Sequence, residues 1–197
     1  MKRICVFCGS SPGAMKTYGK DAKLLGRLLA EKGIGLVYGG GKIGLMGLVA
    51  RACLEAGGEV IGVMPKSLLD LELACMEISS LIIVGSMHER KAKMAELSEG
   101  FIALPGGLGT IEEFFEVLSW AQLGIHCKPC GILNTSRYYD RLLEFLAHAV
   151  EQRFIEAVHK DLMLIDETPE GLLQKFTAYK PTLTDKAAWA LKLFDAT

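Results

Sequence analysis

Short, wholly apolar runs alternate along this chain with longer stretches in which apolar and charged positions recur at helical spacing. The runs are Ile4–Phe7, Gly35–Tyr38, Val60–Met64, Leu81–Val84, Phe101–Leu104 and Gly131–Leu133, with Leu162–Ile165 as a seventh. They lack the polar alternation of a half-exposed strand, so each is expected to be a strand covered on both faces. The intervening stretches, 16–31, 45–56, 89–98, 111–122 and 138–152, are expected to be helices. Thr168–Phe176 follows, with a proline at its first turn. A last amphipathic stretch, Asp185–Phe194, is expected to dock on the core or on a second subunit. Strictly alternating strands and helices predict an α/β fold. We expect a Rossmann-like, doubly wound, mainly parallel sheet with helices on both faces. No linker or repeat divides residues 1–197, so a single domain is expected. In such folds ligands bind at the carboxyl ends of the strands, near the topological switch.

Composition narrows the function classes. Twenty-two basic residues against 23 acidic ones leave a net charge of −1. That balance argues against nucleic-acid binding, which needs a basic surface. No apolar stretch approaches the length of a membrane span, and the first apolar run is too short for a signal-peptide core. A cytoplasmic protein without membrane partners is expected. Among the six cysteines, two pairs have CxxC spacing, Cys5/Cys8 and Cys127/Cys130. The first lies in an apolar strand pattern, where cysteine behaves as a small hydrophobe. The second does not open a helix, where a redox CxxC gains its low pKa. No metal site is expected.

Four loops after strands carry candidate chemistry. The first, "CGSSPG", places Gly9 and Ser10 where backbone N–H groups and a hydroxyl can hold a phosphate or sugar. The second, "YGGGKIGLMG", puts Gly39, Gly41 and Gly44 in G-x-G-x-x-G register between a strand and a helix. A dinucleotide site would need an acidic residue near the end of the next strand, but Met64 and Pro65 stand there. Glu59 lies at the wrong end of that strand. A mononucleotide or phosphate cradle is therefore favoured over NAD. The third loop leads into "MHERK", where Arg90 and Lys91 open a helix about 100° apart. Cations are unfavourable at a helix N-terminus, so their presence there points to an anion site. His88 beside them is a candidate for capping or support.

The fourth stretch, "LPGGLGTIEE", ends strand five and enters a helix. Its glycines let a ligand approach the backbone. Thr110 reads as an N-cap, which makes Thr110-x-x-Glu113 a capping box. The stretch is therefore open to two readings, a helix start or a catalytic loop.

Together these motifs resemble the LOG ("Lonely Guy") family of cytokinin riboside 5′-monophosphate phosphoribohydrolases, members of which have been labelled lysine decarboxylases. The resemblance rests on "PGGLGTIEE", "GGGKIGLMG", "MHERK", "CGSS" and "WAQLGIHCKPCGILN", and runs from about Arg3 to Ile165. It implies a Rossmann-like homodimer that needs no cofactor. Its implied activity releases an adenine-type base and ribose 5-phosphate from a nucleoside 5′-monophosphate. It also implies that Arg90 and Glu113 are catalytic. Lys91, Glu72, the Gly106–Thr110 loop and Ser119 match substrate-contacting positions. Plant-type sequences usually carry threonine at position 119, and Leu69–Ser80 departs further from them. We add Gly9, Ser10, Gly40, Gly41, Gly44, Pro105, Gly106, Gly107 and Gly109 as the cradle, Met46 and Met87 as apolar lining for the base, and Glu112 in a supporting role.

Overall fold

The computed structural model describes residues 1–69 and 75–181. Seven strands form one sheet in the order β4-β3-β2-β1-β5-β6-β7, and every pairing is parallel. They are β1 (Arg3–Phe7), β2 (Gly35–Tyr38), β3 (Val60–Pro65), β4 (Ser80–Val84), β5 (Phe101–Ala103), β6 (Cys130–Leu133) and β7 (Met163–Asp166). All seven expected strands are present, each within about one residue of the expected bounds.

The helices are α1 (Lys16–Glu31), α2 (Gly44–Glu55), α3 (Lys66–Leu69), α4 (Met87–Leu97), α5 (Leu108–Gln122), α6 (Asp140–Glu151), α7 (Ala157–Lys160) and α8 (Pro169–Ala178). Asp185–Phe194 lies outside the described residues, as does Glu72.

The strand side chains alternate between two cores, as a pleated strand requires. Ile4, Val6 and Cys8 pack with α1, α2 and α8 on one face, while Cys5 and Phe7 pack with α4, α5 and α6 on the other. Thus one short strand feeds both cores, and the absence of polar alternation follows. Cys5 and Cys8 are buried, and burial pushes both thiols well up, with Glu113 adding to the effect. They act here as small hydrophobes. Cys130 is also buried, with its thiol pushed up to about 12, while Cys127 is exposed.

The order of strands places the topological switch between β1 and β5, which lie side by side while their chains lead in opposite directions across the sheet. The loops after β1, β2 and β5 meet there. Glu59 sits at the amino end of β3 and is held by Arg3 at 2.7 and 3.0 Å, far from that edge of the sheet.

The α1–α2 contact is the tightest helix pair on its face. Gly26 lies against the backbone of α2, and a methyl group there would overlap the Val49 carbonyl. Backbone cannot yield as a flexible side chain can. Gly26→Ala is expected to lose about 1–3 kcal/mol of stability in urea denaturation, the usual range for overpacking. A variant as stable as the parent would refute this account of the α1–α2 contact.

Candidate active site

Arg90 is the centre of the site. It lies in the second turn of α4 and is only 8% exposed. Its guanidinium turns inward under the carboxyl ends of two strands. Nε donates to the Val63 carbonyl at 3.0 Å, and Nη2 donates to the Gly39 carbonyl at 3.4 Å. Nη1 donates to Glu113 Oε1 at 3.0 Å. Gly39 is required by this arrangement, because a Cβ there would occupy the position of Nη2. The sulfur of Met46 covers the same glycine, and the Met87 sulfur lies 4.0 Å from Nη1.

Two residues that were not expected to matter set α4 in place. Ser86 is its N-cap, accepting from the Glu89 N–H at 3.1 Å, and the Glu89 carboxylate accepts from the Gly85 N–H at 2.7 Å. The S-x-x-E spacing of a capping box was present in "SMHE". The cap is therefore Ser86 and not His88, which is exposed. Glu89 in the first turn also offsets the dipole cost of the cations that follow.

The expectation for α5 needs a larger correction. The helix begins at Leu108 with Gly107 as N-cap, and no side chain caps it. Thr110 is the third helical residue, buried, with its hydroxyl folded back over Gly106. Thr110 and Glu113 therefore do not form a capping box. Glycine has low helix propensity, yet packing carries the helix three residues further towards its N-terminus than propensity suggests. The correction frees Glu113 from a capping role. Its carboxylate lies in the second turn, and side chains on a helix lean towards its N-terminus.

The charges around Glu113 explain its chemistry. Burial raises its carboxyl pKa from the usual value of 4.5. Arg90 and Lys91 oppose that shift, and Glu112 and Glu116 add to it. Lys91 bridges to α5 through Glu112 Oε1 at 2.5 Å and Glu116 Oε1 at 3.0 Å. Those partners raise its pKa, the Glu112 hydrogen bond most. So Glu112 supports Lys91, and Lys91 faces α5 and not the glycine loops.

The glycine loops line a separate part of the same edge. Gly9, Ser10, Pro105, Gly106 and Gly107 line a cleft of about 310 Å³ together with Tyr18 and Tyr138. Gly44 has φ +61° and lies so close to Ser10 that a side chain there would overlap its carbonyl. The Leu45 N–H donates to the Gly9 carbonyl at 3.0 Å, which joins the β1 and β2 loops. Gly41 lies beneath Met46, and Gly40 packs towards Met64 and Leu81, away from Met46. Gly109 is exposed in the first turn of α5. The loops expected to form a cradle are thus together, and α5 links them to Glu113 six residues beyond its cap, about 9 Å along the axis. Ser119 is not brought there. It is exposed on α5 and lines a small apolar cavity of about 140 Å³ with Phe115, Leu118 and Gln122. Tyr138 was missed, although "YYD" follows a strand end at this same edge.

Comparison with known proteins gives the family and the fold. Residues 46–176, about two-thirds of the chain, match the family model described as "Possible lysine decarboxylase". The chain belongs to this family. Among its relatives is a rice protein (Oryza sativa subsp. japonica), "Probable cytokinin riboside 5′-monophosphate phosphoribohydrolase LOGL6". It is 48% identical over 97% of this chain and 78% of its own. "Cytokinin riboside 5′-monophosphate phosphoribohydrolase LOG5" of Arabidopsis thaliana is 47% identical over 97% of this chain and 85% of its own. Among solved structures, the molybdenum cofactor binding protein of Rippkaea orientalis superimposes with a TM-score of 0.69 at 25% identity, covering 90% of this chain and 97% of its own. The Rossmann-like fold is therefore shared.

The raised carboxyl pKa of Glu113 has a measurable sign. The folded state holds this proton more tightly than the unfolded state. The parent therefore loses stability as pH rises from below 4.5 through the raised value. Glu113→Gln removes this dependence. The stability of the variant relative to the parent is expected to improve as pH rises from below 4.5 to neutrality, as read by urea denaturation at several pH values. A shift in the opposite direction would mean that Arg90 outweighs burial.

Proposed function

We propose that this chain hydrolyses the N-glycosidic bond of a nucleoside 5′-monophosphate with an adenine-type base, a cytokinin riboside 5′-monophosphate or AMP. The products are the free base and ribose 5-phosphate. The observation that carries this reading is the buried Arg90–Glu113 pair at the carboxyl edge of the sheet, next to a glycine-lined cleft. The curated relatives with that activity in their names cover nearly the whole chain.

Breaking the bond leaves positive charge on the ribose in an oxocarbenium-like transition state. Glu113 stabilises that charge and accepts a proton from the attacking water. Burial and Arg90 act in opposite directions on its carboxyl, which suits a group that must take up a proton and release it. Arg90 positions the sugar against Glu113 while its strand-end carbonyl partners hold its own geometry. Backbone N–H groups at the start of α5 and in the β1 loop receive the 5′-phosphate. Met46 and Met87 flank Arg90 and offer an apolar surface for the base.

The decarboxylase label of the family requires different chemistry. A Schiff-base lysine needs a lowered pKa, obtained by desolvation or a neighbouring cation. Lys91 at this site has two glutamate partners that raise it instead. A non-catalytic nucleotide carrier of the same fold remains the second reading, favoured by the likeness to the molybdenum cofactor binding protein. Release of free base separates the two.

The remaining assignments follow the same reading. A small-molecule nucleotide suits the nearly neutral chain better than nucleic acid does. A cytoplasmic location suits its six unpaired thiols. Among the described residues, no helix is long and apolar enough to cross a membrane. A homodimer is supported by Leu123, Ile125 and Phe154, which are exposed near the carboxyl end of α5 and after α6. Sedimentation at micromolar concentration is expected to give twice the chain mass, and a monomer would refute the dimer.

Glu113→Gln is expected to retain the fold and nucleotide binding while base release falls by about 10²–10⁴-fold. Chromatography of reactions with a panel of 5′-monophosphates and their unphosphorylated nucleosides measures this. Near-normal turnover by the variant would overturn the role of Glu113. Equal turnover of nucleosides and monophosphates would overturn the phosphate cradle.

A further inference from the structure

We propose that Tyr138 is a positioning residue. Its hydroxyl holds the Gly106–Gly107 peptide in one orientation, so that the loop meets the phosphate with N–H and not with carbonyl oxygen. This rests on the function proposed above.

Four consecutive carbonyls in this loop each have a donor. Tyr139 Oη donates to Leu104 O at 2.6 Å, and the Gly9 N–H donates to Pro105 O at 3.1 Å. Tyr138 Oη donates to Gly106 O at 2.7 Å, and the Ile111 N–H donates to Gly107 O at 3.1 Å. In a trans peptide the carbonyl and the following N–H point in opposite directions. Each fixed carbonyl therefore fixes the N–H after it. The Gly106–Gly107 peptide has most need of such a clamp. It joins two residues without Cβ atoms, so steric resistance to rotation is least there. Rotation would exchange an N–H for an oxygen lone pair, turning attraction for an anion into repulsion.

The segment that carries Tyr138 is built to keep it in place. Ser136 and Arg137, directly before it, have φ of 52° and 62°, unusual for residues with side chains. Such backbone persists only where the surroundings over-determine it. Here Thr135 donates to Asp21 at 2.6 Å, and the Ser136 and Thr17 hydroxyls are 2.9 Å apart. Arg137 pairs with Asp140 at 2.7 Å, and Asn134 donates to Asp140 at 2.8 Å while accepting from the Tyr139 N–H. The Tyr138 ring stands edge-on to both Tyr18 and Tyr139. Tyr139 is buried, whereas Tyr138 is 42% exposed and lines the cleft. Folding alone does not require a half-exposed ring to reach a loop carbonyl, but a fixed phosphate site does.

Tyr138→Phe keeps the ring and removes only the hydroxyl. Titration calorimetry with ribose 5-phosphate is expected to show binding weakened by about 3–10-fold, the factor for one lost hydrogen bond. KM for AMP is expected to rise by the same factor with kcat within twofold, while kcat/KM for adenosine stays unchanged. Thermal melting is expected to match the parent. Unchanged ribose 5-phosphate affinity would overturn the proposal. So would an equal loss on adenosine and AMP, which a general structural defect produces. If the parent releases base from no monophosphate, the proposed function fails, and the ribose 5-phosphate titration still decides the role of Tyr138.

Discussion

A buried guanidinium needs a counter-charge and acceptors for its N–H groups, and the site is arranged around meeting that need for Arg90. Taking an ion pair out of water costs several kcal/mol per ion, and the loss is recovered only where geometry and hydrogen bonds are good. Here the acceptors are main-chain carbonyls at the ends of β2 and β3, and the counter-charge comes from α5, which packs beside α4 on the same face. A parallel sheet supplies such carbonyls at one edge only. The fold thus fixes where the pair can sit, and the pair in turn ties α4, which leaves β4 at one side, to the helix following β5. Gly39 follows from the same constraint, since only a residue without Cβ leaves room for Nη2.

The strands and the sheet could be read from the chain because each run is short, apolar and bounded by glycine or charge. Their two-sided burial removes polar alternation, and that is itself the signal. The glycine loops, Arg90 and Glu113 could be placed for the same reason, since each follows a strand end. The start of α5 could not. "GGLG" contradicts helix propensity, and only the packing of Thr110 over Gly106 shows that the helix has already begun. Local sequence offered Thr110 as a cap because threonine three residues before glutamate is a common cap, and nothing local distinguishes it from a buried threonine inside the first turn. The partners of Lys91 were also hidden, because they depend on α4 and α5 packing side by side. The reach of Tyr138 to Gly106 joins residues 32 apart through two left-handed backbone positions that no pattern of apolar residues encodes.

The helix termini show what the misread cap implies. α4 is capped by Ser86, and α8 is capped by Thr168, whose side chain accepts from Gly171 at 3.2 Å. The helices that follow β1, β2 and β5 have Met15, Ile43 and Gly107 at the N-cap, none of which supplies a side-chain cap. Each of these termini leaves backbone N–H groups without an intrahelical partner. A capping threonine at α5 would have satisfied one of those donors. Glycine at that position leaves the donor uncapped, at a cost of only a few tenths of a kcal/mol relative to a good cap.

Arg90 and Lys91, adjacent on α4, divide the remaining work, and the division bears on Glu113. Arg90 and Lys91 project about 100° apart, as do Glu112 and Glu113. The helices therefore meet through two parallel bridges, one buried and one at the rim. The rim bridge adds little stability, because Glu112 is 56% exposed and exposed pairs contribute at most about 1 kcal/mol. Its effect is electrostatic. Lys91 brings one positive charge near Glu113, while Glu112 and Glu116 bring two negative charges that largely cancel it. Burial is the largest influence and prevails over Arg90, so the carboxyl pKa rises, while the pull of Lys91 is offset by its partners Glu112 and Glu116. Lys91 thus matters to the site through the charge it withholds from Glu113, which accounts for a lysine turned away from the glycine loops in a helix whose neighbouring arginine faces the site.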